Sequence, residues 1–126
     1  MKVLLDTHIL LWWLADDRRL SKMARTVLAD PANEVFVSVV SLWELAIKTA
    51  SGKLDVSVAE VAAVLKEGDY SVLPVHERHV LSLAGLPPHH GDPFDRMLIA
   101  QAMADSLRLL TQDRVLARYG DPVLPG

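Results

Sequence analysis

Four carboxylates stand where an apolar run gives way to a helix. Asp6 follows Val3–Leu5, and Glu44 lies three residues after Ser41, just beyond the run EVFVSVV at Glu34–Val40. Asp95 sits in Asp92-Pro93-Phe94-Asp95 at the head of MLIAQAMA, and Asp113 follows Leu109-Leu110-Thr111. Each has an ordinary explanation when taken singly. Asp6, Asp92 and Asp113 read as N-caps, Ser41-x-x-Glu44 reads as a capping box, and Asp95 is a first-turn acid behind Pro93 at N1. Together they ask for more, because carboxylates gathered from distant parts of a chain repel one another. A hard divalent cation removes that conflict, since Mg²⁺ and Mn²⁺ take oxygen ligands and usually keep waters. A carboxylate-held Mg²⁺ suits phosphoryl chemistry: it orients a water, stabilises the hydroxide form and neutralises charge on a phosphate.

Whether the acids meet depends on the elements that carry them. Val3–Leu5, Glu34–Val40, Tyr70–Val75, Arg108–Thr111 and Pro122–Leu124 read as strands, with EVFVSVV, β-branched and apolar on both faces, as the central one. Helices are expected at Ile9–Leu14, Ser21–Ala29, Leu42–Ala50, Val58–Glu67, His76–Ala84, Pro93–Ala104 and Arg114–Tyr119, with Gly52, Gly68, Gly85 and Gly120 just past several of them. Strands alternating with helices predict an α/β fold with a parallel sheet of four to five strands, covered on both faces. In such a sheet strand C-termini and helix N-termini share one edge, where ligands bind. The loop Pro87-Pro88-His89-His90-Gly91 reads as a segment flanking that site.

Size and composition narrow the alternatives. At 126 residues the prior is one domain spanning 1–126, and 51% hydrophobic with 23% charged residues excludes a disordered chain. The absence of cysteine removes disulfide scaffolds, thiol nucleophiles and cysteine-ligated metal sites, and fits a cytoplasmic setting. Thr7–Ala15 and Val35–Trp43, apolar and free of charge for nine residues each, are too short to cross a membrane. The opening Met-Lys-Val-Leu-Leu-Asp reaches an acid too early for a signal-peptide core. The net charge of −3 advertises no nucleic acid. With four of the 16 acids assigned to a metal, however, 12 face 13 bases, which permits an RNA partner.

The segments VLLDTHILLWWL, SVVSLWELAIKTASGKL, HGDPFDRMLIAQAMA and LLTQDRVLARYG, in that order along nearly the whole chain, resemble PIN-domain ribonucleases of the VapC toxin type. The resemblance implies a three-layer α/β/α domain around a central parallel sheet. It also implies Mg²⁺- or Mn²⁺-dependent cleavage of RNA and a cognate VapB-type antitoxin that blocks the site. Carried over by motif, Asp6, Glu44, Asp95 and Asp113 match the family's four acids, with Asp6 and Asp95 the most direct metal ligands. Glu44 and Asp113 would be further ligands, directly or through water. Asp92 reads as the cap that orients Asp95, and Thr7 and Ser41 match the small hydroxyls that the family places beside its acids.

The remaining candidates are weaker. Lys48, Lys53, Arg96 and Arg114 neighbour the acids in sequence and could hold phosphates or be solvated surface charge. His89 and His90 are candidates for touching substrate, and His8 for packing beside Asp6. His76 and His79, three apart, could face one side of a helix, but two ligands rarely make a metal site. Of Trp12 and Trp13 at least one is expected in the core and the other at an interface, with a homodimer or an antitoxin groove suiting the apolar surplus there. Three other readings compete. A haloacid-dehalogenase-like phosphatase needs a second acid two residues after its nucleophile, and Asp6-Thr7-His8 lacks it. A receiver-like module that only binds an ion needs an Asp at the end of the middle strand, whereas EVFVSVVS ends in Ser41. A PIN-type nuclease of RNA processing outside a toxin–antitoxin pair stays open.

Overall fold

Val3, Leu4 and Leu5 are all fully buried, yet they serve two cores. Side chains alternate across a strand, so Val3 and Leu5 pack on one face of the sheet and Leu4 on the other. The computed structural model describes residues Met1–Gly126. Its strands are β1 (Lys2–Leu5), β2 (Glu34–Ser38), β3 (Tyr70–Leu73), β4 (Arg108–Thr111) and β5 (Val123–Pro125). They form one five-stranded sheet in the order β3-β2-β1-β4-β5, and every pairing is parallel.

The helices are α1 (Thr7–Leu14), α2 (Lys22–Ala29), α3 (Val39–Ala50), α4 (Val58–Glu67), α5 (Glu77–Ala84) and α6 (Pro93–Asp105), with a 3₁₀ turn at Leu116–Tyr119. Ile9 and Leu10 of α1, Ala24 of α2, Leu45 of α3 and Val61 and Leu65 of α4 join Val3, Leu5, Val35, Val37 and Leu110 on one face. Leu98, Ile99 and Ala102 of α6 join Leu4, Leu73, Leu109, Leu116 and Val123 on the other. The result is the α/β/α sandwich expected from the alternation of strands and helices.

Four expectations need correction. The strand EVFVSVV stops at Ser38, because the Ser38 hydroxyl caps the Val40 amide at 3.0 Å and the β-branched pair Val39-Val40 opens α3 instead. Ser41 is therefore no cap: it lies inside the first turn of α3, and the capping box with Glu44 does not form. The middle strand is β1, not β2. It ends at Leu5 with Asp6 directly after it, so Ser41 does not count against a receiver-like module. The tail expected as a helix from Arg114 is only the short 3₁₀ turn, whereas Val58–Glu67 and Arg108–Thr111 form with the expected bounds.

Candidate metal centre

From β1 the chain moves outward through β2 to β3, then returns to lay β4 on the other side of β1. The strand order reverses between β1 and β4, and a crevice opens outside the carboxyl ends of such a pair. Asp6 and Asp113 follow those two strands. The Asp6 amide continues the ladder to Leu110 O at 3.1 Å. Its side chain, 3% exposed, caps α1 through Oδ1 to the His8 amide at 2.8 Å and accepts the Thr111 hydroxyl on Oδ2 at 2.5 Å. The cap is therefore present, and it leaves Asp6 lone pairs to spare, because each carboxylate oxygen has two.

The other acids arrive on helices. Asp92 caps α6 by accepting the Asp95 amide at 3.0 Å, with Pro93 in the first turn, which sets Asp95 on the crevice side of α6. Glu44 reaches it from the second turn of α3 and is 3% exposed. The hydroxyls of Thr7 and Ser41, both buried, bond each other at 2.9 Å and fasten α1 to α3 between Asp6 and Glu44. Asp113 lies beyond β4, where its Oδ1 accepts the Val115 amide at 2.8 Å and its own amide donates to Thr111 Oγ1 at 3.0 Å.

The electrostatics are those of a crowded anionic cleft. Burial pushes the Asp95 carboxyl up to about 7, reinforced by the charges of Asp6, Asp92 and Glu44. Burial also raises Asp6, against the hydrogen bonds from Thr111 and the His8 amide. Asp113 is the exception: burial raises it, but the hydrogen bonds from His90 and the Val115 amide leave it below the usual carboxylate range. One oxygen of Glu44 holds Lys48 Nζ at 2.5 Å, and that hydrogen bond, with the charges of Glu44, Asp92 and Asp95, raises the lysine. The other, Oε1, is buried without a hydrogen-bond partner. Such an oxygen is costly unless something accepts its charge. Ligand atoms of His90, Asp95 and Asp113 lie within 4.8 Å of one another, the charges of Asp6 and Glu44 bear on Asp95, and this oxygen-rich set with one bare buried oxygen fits a hard divalent cation.

Other candidates fall differently. Lys53 is exposed in the turn after α3, and no ion pair joins it to the acids. Arg96 turns to the loop before α6: its Nη1 donates to the carbonyls of Pro87 (3.3 Å) and His90 (3.4 Å). Arg114 is exposed. His79 is fully buried on α5, with Nδ1 accepting the His76 amide at 2.9 Å and Nε2 2.9 Å from Asp105, so neither nitrogen is available to a metal. Both Trp12 and Trp13 are half-buried against the α1 core; Trp13 donates to the Tyr70 hydroxyl at 2.9 Å. Trp12, with Asp6, His8, Gln112 and Asp113, lines a cavity of about 220 Å³.

His90, Thr111 and Trp43 also stand at the site. His90 Nε2 lies 3.1 Å from Asp113 Oδ2 and 3.4 Å from Asp95 Oδ2. The sequence marks it as a candidate for touching substrate, and the structure sets it against the acids. Thr111 carries no mark in the sequence beyond its place in a strand; a hydroxyl two residues before an acid is the available clue. Trp43, likewise unmarked in the sequence, is 58% exposed beside Glu44 and stacks edge-on with Phe94, whose ring centroid is 5.0 Å away.

Comparison with known proteins agrees with this geometry. The PIN domain family matches residues 3–122. The chain is 30% identical over 124 residues to Ribonuclease VapC22 of Mycobacterium tuberculosis (strain ATCC 25618 / H37Rv), covering 95% of this chain and 93% of that one. Its fold is similar to a solved structure of VapBC2 from Rickettsia felis bound to a promoter DNA fragment, with TM-score 0.70, 14% identity and coverage of 100% and 98% of the two chains. It is also similar to FitAcB from Neisseria gonorrhoeae, with TM-score 0.69, 18% identity and coverage of 98% and 96%. With the family matched over nearly its whole length and its acids gathered at the β1/β4 switch point, the chain belongs to the PIN domain family, among its VapC-type members.

Proposed function

We propose that this protein is a divalent-metal-dependent endoribonuclease and the toxin of a VapBC-type pair, working in the cytoplasm. The observation that carries the reading is the crowding of acids about Asp95: the charges of Asp6, Asp92 and Glu44 bear on it, Asp113 lies within 4.8 Å of its ligand oxygen, and Glu44 Oε1 is buried and unpartnered. Mg²⁺, or Mn²⁺, would be held most directly by Asp6 and Asp95, with Glu44 and Asp113 completing the set directly or through water. When bound, the cation supplies a Lewis acid for a phosphate oxygen and lowers the pKa of a water.

The chain's own groups do the rest. Thr111 and the His8 amide hold both oxygens of Asp6 in place. The cap from Asp92 fixes the turn that carries Asp95. Lys48, drawn into the cleft by Glu44, puts a cation where an RNA phosphate would otherwise meet only acids. In the reaction a water oxygen bonds to phosphorus, a phosphorus–oxygen ester bond of the backbone breaks, and the leaving oxygen takes a proton. No Ser, Cys or His nucleophile set stands in the crevice to offer another route.

The partner follows from the same charges. An anionic cleft accepts a guanidinium as readily as a metal, and arginine meets carboxylates bidentately. A VapB-type antitoxin that inserts an arginine among the acids would block the site. Homodimerisation through the half-exposed apolar stretch of α1 at Trp12 and Trp13 completes the proposal. The test is cleavage of single-stranded or looped RNA by the purified chain with Mg²⁺, with excess EDTA, and with the product of the adjacent reading frame added. Cleavage that needs Mg²⁺ and stops on addition of that product supports the reading. Undiminished cleavage in EDTA overturns the metal mechanism, and a neighbour that leaves cleavage untouched overturns the pairing.

A further inference from the structure

His90 is the group in the crevice that carboxylate chemistry does not account for. His90, Asp95 and Asp113 each offer a ligand atom, all within 4.8 Å of one another, which suggests a nitrogen ligand for the cation. The hydrogen bonds of the ring say otherwise. His90 Nδ1 accepts the Asp92 amide at 3.0 Å. An amide can only donate, so Nδ1 presents its lone pair and the ring proton sits on Nε2. A nitrogen that carries its proton donates to a carboxylate and cannot ligate a metal.

The ring is held in that orientation from several sides. The His90 amide donates to the Tyr119 hydroxyl at 3.2 Å, and its carbonyl accepts from Arg96. Asp92, whose amide fixes the tautomer, also caps α6 at Asp95. Asp113 is thereby gripped at both oxygens, Oδ1 by the Val115 amide and Oδ2 by His90. One bracket of backbone and imidazole therefore ties the acid at the head of α6 to the acid beyond β4.

We propose that His90 is a positioning residue and not a metal ligand: its Nε2–H, set by the Asp92 amide, fixes Asp113 as an outer acceptor for the waters of the cation. This rests on the divalent-ion reading given above. Partners that orient the groups around a metal typically change its affinity by about 10–100-fold when removed.

The experiment uses Mn²⁺ as the probe, titrated into the parent, H90A and H90Q by electron paramagnetic resonance of free Mn²⁺. Electron-spin-echo spectra of the bound ion in the parent report directly coordinated ¹⁴N. The expected results are no coordinated imidazole nitrogen in the parent, affinity about 10–100-fold weaker in H90A, and most of it regained in H90Q. The glutamine amide places an N–H donor near the position of Nε2. Coordinated ¹⁴N in the parent, parental affinity in H90A, or H90Q as weak as H90A would each overturn the proposal. If H90A fails to fold, the parent spectrum and H90Q still decide it. A parent that binds no Mn²⁺ overturns the metal reading itself, whereas a parent that binds it beside an indifferent H90A overturns only the role of His90.

Discussion

Thr111 and Asp6, 105 residues apart in the chain, share a buried hydrogen bond of 2.5 Å from the threonine hydroxyl to Oδ2. The same hydroxyl accepts the Asp113 amide at 3.0 Å. One oxygen therefore sets the spacing of the acids that follow β1 and β4. It can do so because those strands are paired in parallel, Leu5 with Leu110, so that their ends lie side by side.

Thr111→Val keeps the shape and removes this link. Asp6 loses the donor that opposes its burial, and the Asp113 amide loses its acceptor. Each lost hydrogen bond costs about 0.5–1.5 kcal/mol, more if a partner is left buried and unsatisfied. The expected outcome is a folded protein that melts several degrees lower and binds Mn²⁺ about 10–100-fold more weakly. Thermal melts and Mn²⁺ titration of parent and variant check it; unchanged Mn²⁺ affinity would show that Thr111 only packs.

Asp95→Asn is expected to abolish RNA cleavage while leaving the metal-free protein as stable as the parent, or more stable. Asparagine keeps the size and leaves the amide free to donate to Asp92. What disappears is one charge among acids that repel, worth roughly 1 kcal/mol per close pair in a wet cleft. The parent should gain more melting temperature from millimolar Mg²⁺ than the variant, since ligand stabilisation follows affinity for the folded state. An Asp95→Asn protein that still cuts RNA and responds equally to Mg²⁺ would return Asp95 to a helix-start residue.

The metal-free protein should lose stability as pH rises from about 4 towards 7. Asp95 titrates at about 7 when folded and at about 3.9 when unfolded. Between those values the folded state holds the extra proton, so raising the pH favours unfolding. Asp105, lowered to about 2 mainly by its hydrogen bond from Arg78, acts in the opposite sense: its stabilisation is present above about 4 and is lost as pH falls towards 2. The slope between pH 5 and 7 therefore belongs to the crevice. Melting temperatures in EDTA across this range should fall with pH in the parent and flatten in Asp95→Asn. Below pH 7 Mn²⁺ affinity should weaken by up to about tenfold per unit, because the proton must leave before the metal binds. A parent whose melting temperature is flat across that window would contradict the raised carboxyl.

Most strands and helices were legible in the chain, as were the four acids that lie at or near the points where strands give way to helices. Those features are local. Helical periodicity, glycine stops and the Asp92-Pro93 start are written in consecutive residues, and α4 and β4 form with the expected bounds for that reason. Only the tertiary structure decided that β1, and not the β-branched run EVFVSVV, lies in the middle of the sheet. Strand order is fixed by pairings between residues remote in the chain, Val3 with both Val35 and Arg108. It likewise decided that Ser38 ends β2 and opens α3, which places Glu44 on the second turn of a helix and not in a capping box. The loop before α6 reads in sequence as a segment flanking the site, without showing which of its groups enters it. Its histidine enters the crevice only because the folded backbone brings Arg96, Tyr119 and the Asp92 amide to hold it there.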